Sequence, residues 1–279
     1  MFEKFSNSWK LFKAATSVLA ADRELLIFPI ISTIGVIIIS LTFAVPMFLS
    51  NFFDSLFSDK FGILGYVVLF LFYIVQYTVV FYANTALVGA AMIRLNGGDP
   101  TVKDGFRIAN SRFGAIIGYA LISATVGVIL KALQKQKGLV RIVTSILGMA
   151  WNLATYLVVP ILAVEGIGPI AAIKQSVSLL RRTWGEQVIG NFGLGFVFGI
   201  ANLLVILAAI PIIILAVNSQ SILLIASAVV IILIILAILG LINSSLNGIY
   251  TAAVYQFAST GKSSSFFDDK MVKNAFSLK

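Results

Sequence analysis

The chain has 279 residues, of which 59% are hydrophobic and only 11% are charged, and its formal net charge is +9. A soluble globular domain carries roughly 25% charged residues, so this composition predicts a protein whose main solvent is lipid. The chain contains no cysteine and no histidine. Disulfides and thiolate metal sites are therefore excluded, the commonest general base is missing, and we expect no cofactor.

The segment 1–21 mixes apolar side chains with lysines, a pattern typical of an amphipathic helix that lies on the membrane surface. We expect its apolar residues Trp9, Phe12, Val18 and Leu19 to lie in the headgroup region. The apolar run that follows is too long for a signal-peptide core and has no small-residue cleavage site, so we expect this end of the chain to be retained.

Six apolar runs follow, uncharged except for Lys131 near the end of the third, and each is long enough to cross a hydrocarbon core, which takes about 20 helical residues. The predicted spans are Leu25–Leu49, Ile63–Ile93, Phe113–Ala132, Ile142–Val164, Val188–Val217 and Ile222–Phe257. The second and sixth runs are longer than the hydrocarbon requires, so they must tilt, kink or project into water. We interpret residues 1–279 as one integral membrane domain in which residues 258–279 form a cytoplasmic tail.

The distribution of Lys and Arg predicts the orientation of the chain. With the N-terminus inside, fifteen of these residues are cytoplasmic and five are outside. This count predicts a multi-pass protein of the cell (inner) membrane with both termini in the cytoplasm. Four of the five outside residues lie in the loop Lys131–Arg141, so whether the third and fourth spans cross fully stays open.

A weak internal repeat runs along the chain, because a basic amphipathic stretch precedes each odd-numbered span. These stretches are Phe5–Ala21, Val102–Ser111 and Ala171–Arg182. The predicted fold class is therefore an all-α membrane protein with about six transmembrane helices arranged as three hairpins, each preceded by a basic amphipathic surface helix.

Four asparagines, Asn84, Asn152, Asn202 and Asn243, fall near the middle of four different spans. An amide in lipid needs a hydrogen-bonding partner, so we expect all four side chains to point toward the bundle interior. Two explanations stay open. The amides could bond between helices, or they could line a hydrated path or a polar substrate site.

The carboxylates lie at or beyond the span ends, which leaves no acidic pair for intramembrane proteolysis, and we predict that the protein is not an enzyme. Glu165 stands at the end of the fourth span, where partial desolvation makes an unpaired carboxylate costly. We predict that it forms a cytoplasmic ion pair with Arg181 or Arg182.

Several short motifs carry a resemblance to a known family: Ser8–Leu11, Asp22–Pro29, Pro160–Glu165, Arg182–Glu186 and Tyr255–Gly261. With these motifs the chain resembles the domain of unknown function 6159 family of prokaryotic polytopic membrane proteins, over nearly its whole length. The resemblance implies a polytopic membrane protein, and it implies no activity and no site residue.

Two functional hypotheses follow from these features. The leading one is a channel or transporter-like path for a small solute or lipid, because the mid-membrane layer is polar but uncharged. The alternative is a membrane scaffold or assembly protein that binds anionic lipid headgroups or a cytoplasmic partner through its basic surface helices. We expect membrane lipids as partners and no nucleic acid, and homo-oligomerisation stays open.

Overall fold

The computed structural model describes residues 2–49, 62–134, 139–184 and 193–273, and every regular element within these ranges is helical. A 3-10 turn, Arg23–Leu26, joins the first two helices. The α-helices are α1 (Phe2–Ala21), α2 (Ile27–Leu49), α3 (Gly62–Leu95), α4 (Val102–Ser111), α5 (Phe113–Gln134), α6 (Leu139–Ala154), α7 (Val158–Glu165), α8 (Pro169–Trp184), α9 (Gly193–Asn218), α10 (Ile222–Thr260) and α11 (Asp269–Lys273).

Within the described ranges, six helical segments are long and apolar enough to cross a membrane. They are Arg23–Pro46, Val67–Leu95, Phe113–Gln134, Val140–Glu165, Val197–Asn218 and Ile222–Thr260. These bounds agree with the six predicted spans to within a few residues, apart from the start of the fifth span, where residues 188–192 lie outside the described residues. The predicted all-α membrane class is confirmed.

Helix α3 is the centre of the bundle and packs against α2, α4, α5, α7 and α10. Consecutive spans also pack pairwise, α2 on α3, α5 on α6 and α9 on α10. These are the contacts that three hairpins would make. The repeated unit of surface helix plus hairpin stays a prediction.

Glycines bring α4 close to α3. A Cβ atom on Gly105 of α4 would lie 2.8 Å from the carbonyl oxygen of Ala86 and 2.4 Å from the ring of Phe28. On the facing side, a Cβ on Gly89 of α3 would lie 2.9 Å from the side chain of Ile108. At Gly105 the backbone of Ala86 and the ring of Phe28 thus occupy the space that a side chain would need.

The Thr101 side chain begins α4 with a capping box, since it accepts a hydrogen bond from Asp104 N while the Asp104 carboxylate accepts one from Thr101 N. The hydrogen bonds that Thr101 donates to the Asp104 carboxylate, the one from its side chain more than the one from its backbone, lower the pKa of Asp104 below its ordinary value. Helix α4 is therefore fixed at its first turn by its own sequence and along its length by the glycine contacts with α3.

Among the residues that the structure describes, tight packing is concentrated at one end of the bundle. We call this the near end, because it carries α1, the 3-10 turn, α4, α8 and α11. The core residues come from the first turns of α2, α5 and α9, from the last turns of α3 and α10, and from α7 and α8. At the opposite, far end, apolar side chains of α2, α6, α9 and the first half of α10 are largely exposed. In a membrane these exposed faces lie against lipid or another helix.

The fourth span is not the continuous helix that the sequence predicts over 142–164. Helix α6 ends at Ala154 and α7 begins at Val158, with a turn at residues 155–157 between them. Pro160 explains the break, because it has no N–H to donate to the carbonyl of Tyr156 and its ring crowds that carbonyl. The signal was present in the sequence.

Helix α1 packs against α9 and α10 rather than lying apart from the bundle. Val18 and Leu19, which we expected among the lipid headgroups, are buried inside the protein. Trp9 is 40% exposed and stacks on Phe12, with ring centroids 5.1 Å apart. One face of α1 is thus buried in the bundle, where its apolar side chains leave water.

The close approach of α3 and α4 predicts a large difference between two glycine substitutions. Gly105→Ala should lower the stability of the protein by ~1–3 kcal/mol, because the added methyl group meets a backbone oxygen that cannot move aside. The matched control is Gly114→Ala, since no atom lies within 4 Å of a Cβ at Gly114. Thermal unfolding in detergent measures both, and equal midpoints for the two variants would contradict the packing described here.

Candidate functional site

The turn that breaks the fourth span is satisfied by a side chain from another helix. The Leu157 backbone N–H, which has lost its helical acceptor, donates to the Ser176 hydroxyl of α8 at 3.1 Å. Both residues are fully buried. Non-helical backbone inside a membrane domain persists only where the protein or a cavity supplies such partners. Helix α8 therefore supplies a hydrogen-bond partner that the break in the fourth span requires.

Helices α3 and α10 run parallel, and two contacts define their register. Gly248 of α10 packs on Leu87 of α3, where an added Cβ would lie 2.4 Å from Leu87 Cδ2. About two turns further along both helices, Gln256 donates its amide to Asn96 Oδ1 at 2.8 Å. This register places Asn84, one turn before Leu87, level with residues 243–247 of α10.

A chain of polar contacts connects the broken span to this level. The Tyr156 side chain, in the break, contacts the Thr251 side chain of α10. Thr251 Oγ1 donates to the carbonyl of Asn247 at 2.7 Å, and the Asn247 amide donates to Asn243 Oδ1 at 2.6 Å. We call these four residues together with Asn84 the polar belt. The belt carries no charged side chain.

The four asparagines predicted as one layer have different surroundings. Asn84 and Asn243 are half-buried at the same level of adjacent helices. Asn202 is half-buried on α9 and donates to Phe198 O of its own helix at 2.9 Å. Asn152 is exposed on α6, next to the break. The structure thus brings together two of the four, and it adds Asn247, Thr251 and Tyr156 to them.

The space between the polar belt and the near end is filled by apolar side chains. Leu87 of α3, Ile161 and Leu162 of α7, and Val254 of α10 each lie about one turn closer to the near end than the belt or the break. All four are at most 1% exposed. The belt is therefore separated from the near end by a dry, packed layer, whereas the helices on its far side carry exposed apolar faces.

An ion cluster at the near end connects the N-terminal segment to α3. Asp22 is only 6% exposed, and both of its carboxylate oxygens accept hydrogen bonds from the guanidinium of Arg94. The same guanidinium donates to Asp99 Oδ1 at 2.5 Å. Close by, the Glu24 carboxylate accepts a hydrogen bond from Val102 N at the start of α4, at 3.1 Å. A bidentate Arg–carboxylate pair is among the strongest polar contacts that proteins make.

Glu165 has partners other than the two arginines that the sequence suggested. Gln175 Nε2 donates to its two carboxylate oxygens at 2.5 and 2.6 Å, and the Tyr255 hydroxyl donates to Oε1 at 2.8 Å. Among the described residues, neither Arg181 nor Arg182 forms a salt bridge with it. Arg182 instead donates to Ala258 O at 3.4 Å, near the end of α10, where carbonyl oxygens attract a cation.

Sequence reasoning missed Asp22, Arg94 and Asp99 as a group. A signal existed, since Asp22 and Arg94 are charges of opposite sign at the edges of consecutive spans that meet at one end of the bundle. Because the two residues are 72 positions apart, the sequence alone does not pair them. The described carboxylates of the near end all accept hydrogen bonds from within the protein: Asp22, Glu24, Asp99, Asp104, Glu165, Asp268 and Asp269.

The environment of Glu165 predicts that its neutral partners, not the arginines, stabilise it. Tyr255→Phe should lower the free energy of unfolding by ~1.5–3 kcal/mol, because a hydrogen bond to a charged group is lost. Arg181→Gln, at an exposed position, should change it by less than ~0.5 kcal/mol. Thermal unfolding of both variants in one detergent decides between them. A larger loss of stability for Arg181→Gln than for Tyr255→Phe would instead support the ion pair between Glu165 and Arg181.

Comparison with known proteins gives one family and no further relatives. The model of a family described as "Family of unknown function (DUF6159)" matches residues 63–266. The match includes the polar belt, Glu165 and Tyr255, and it begins after the N-terminal segment that carries Asp22. No curated protein and no solved structure matches the chain.

Proposed function

We propose a function from geometry alone for this chain, which belongs to the DUF6159 family of unknown function. The protein is an integral membrane protein without enzymatic activity that provides a path for a small solute or lipid, and the polar belt at the break of the fourth span is the binding point along that path. The observation that carries the proposal is the break itself, beside uncharged polar side chains from two further spans.

The break in the fourth span lies beside polar side chains of two other spans. The half-buried amides of Asn84 and Asn243 lie on α3 and α10, the helices that pack beside α7. Discontinuous helices are a recurring way of building transport sites in membrane proteins. Since the belt contains donors and acceptors but no charge, it suits an uncharged polar group of the transported molecule.

The hydrogen bonds of the asparagines favour a path lined by these side chains over a role in which they only hold helices together. Asn202 bonds the carbonyl of Phe198 on its own helix, and Asn247 bonds Asn243 on its own helix. Amides that held helices together would bond across the helix interface. Bonds within one helix keep the amide in place while its remaining donor and acceptor capacity stays available for a passing molecule.

We also propose that the near end faces the cytoplasm of the cell membrane. The exposed lysines and arginines of α1, α4, α8 and the segment after α10 support this orientation, because cytoplasmic segments carry an excess of basic residues. In this orientation the path is closed toward the cytoplasm by the packed apolar layer. The belt is then approached from the far side, where packing is loose.

Asn243→Leu is the variant that tests the path. It removes the side-chain acceptor for Asn247 and one polar group of the belt, so it should reduce flux strongly while costing only about 1 kcal/mol of stability. The matched control is Asn152→Leu, which changes the same side chain at an exposed position outside the belt. Flux is measured in reconstituted vesicles with glycerol as the solute probe and a fluorescent phosphatidylcholine as the lipid probe.

The two arms of this experiment separate the hypotheses. A fall in the flux of either probe for Asn243→Leu but not for Asn152→Leu supports the path and indicates whether solute or lipid uses it. Unchanged flux of both probes together with lowered stability would defeat it.

A scaffold role is the second candidate, and a different observation favours it. The near-end carboxylates are occupied by internal hydrogen bonds, whereas Lys10, Lys13, Lys174 and Arg181 are exposed. A surface with exposed lysines and arginines attracts the anionic headgroups of the adjacent leaflet. If vesicles containing the wild-type protein pass neither probe, this role becomes the better account.

A further inference from the structure

We propose that α1 and the 3-10 turn form a lid over the near end of the path, and that the Asp22–Arg94 ion pair is the latch that holds this lid closed. The inference rests on the proposed function, since it assigns a regulation to the same path. The lid and the polar belt consist of different residues, so an experiment can disprove the lid without disproving the path.

The lid is fixed to the bundle at a few definable points. Asp22 is buried and bonds Arg94 through both carboxylate oxygens, and Glu24 accepts a hydrogen bond from Val102 N. Just beyond the turn, Phe28 is 1% exposed and its ring fills the space left by Gly105. The N-terminal segment is thus fastened to the corner between α3 and α4 by polar contacts and by one inserted ring.

Arg94 is shared between two carboxylates with opposite exposure. The side chain of Asp22 is 7% exposed and belongs to the lid, whereas that of Asp99 is 91% exposed and belongs to the loop after α3. If the lid leaves, Arg94 keeps Asp99 as its partner and Asp22 returns to water. The large penalty for leaving one member of a buried ion pair unpaired is therefore avoided on both sides. A contact that can be released without an orphaned charge suits a switch.

Helix α1 can bind the membrane surface when it is released from the bundle. Its buried face carries Leu11, Ala14, Ala15 and Val18, and its other face carries the exposed Lys10 and Lys13. An amphipathic helix with this pattern also binds the surface of an anionic membrane. The bundle and the leaflet therefore offer α1 two alternative positions.

The path runs toward the lid along one stripe of α10. Asn243, Asn247, Tyr250 and Val254 follow the spacing of a single helix face, and the last two are buried. Helix α1 packs against α10 at this end, and Phe12 meets Phe198 of α9 edge-to-face with centroids 5.7 Å apart. Removing α1 would therefore uncover the near-end part of the stripe that leads from the polar belt.

The absence of cysteine allows a direct test with single reporter cysteines. Ala15→Cys reports the underside of the lid, Val254→Cys the stripe below the belt, and Ala120→Cys a buried position of α5 away from both; all three positions are at most 1% exposed. Each is combined with Asp22→Asn, which breaks the latch, or with Asp99→Asn, the matched control on the same arginine. Inside-out vesicles are treated with a membrane-impermeant maleimide.

Asp22→Asn should raise the labelling rates at positions 15 and 254 by about ten-fold or more, because the open state changes from a rare to a well-populated one. Asp99→Asn should leave both rates near those of the unaltered background, and position 120 should stay unreactive throughout.

Every other outcome overturns the latch. Unchanged labelling in Asp22→Asn shows that the pair holds nothing closed, and labelling at position 15 without position 254 shows that the lid does not cover the path. Labelling at position 120 shows general unfolding rather than a discrete lid. Equal effects of the two Asn variants show that Arg94 is not shared as described. Since labelling needs no transported probe, these results are independent of the flux experiment.

Discussion

A polar group that leaves water must recover its hydrogen bonds inside the protein, and this constraint shapes both polar regions of the bundle. At the near end it pairs Asp22 with Arg94 and surrounds Glu165 with an amide and a hydroxyl. In the fourth span it places Ser176 of α8 on the Leu157 N–H that the break has freed. The short helices between the spans are therefore part of the bundle, because they supply partners that the spans cannot supply themselves.

These contacts give the molecule two halves with different properties. The near half is closely packed, and its polar bonds join segments that are distant in sequence. The far half has exposed apolar faces, and loosely packed regions of this kind open at a lower free energy than a packed core. The proposed path is closed at the near end and loosely packed at the far end, so it needs a movable element only at the near end. Helix α1 occupies that position.

The sequence predicts the spans well because a run of some twenty apolar residues has few alternatives to crossing the membrane. It predicts side-chain partners poorly, as Glu165 illustrates. Charge favours Arg181 and Arg182 as its partners, yet the carboxylate is satisfied by the neutral groups of Gln175 and Tyr255. The break at residues 155–157 could have been predicted from Pro160. The Asp22–Arg94 pair could not, because a contact across 72 residues depends on how the helices pack.

Distances between paired spin labels in a lipid bilayer measure the contrast between the two halves. One pair of labels at positions 103 and 262 spans the near end, and one pair at 134 and 219 spans the far end, all at exposed residues. We expect a narrow distance distribution for the near pair that is the same in thin and thick bilayers. For the far pair we expect a broad distribution that shifts with bilayer thickness. A far-end distribution as narrow and as constant as the near-end one would contradict this contrast.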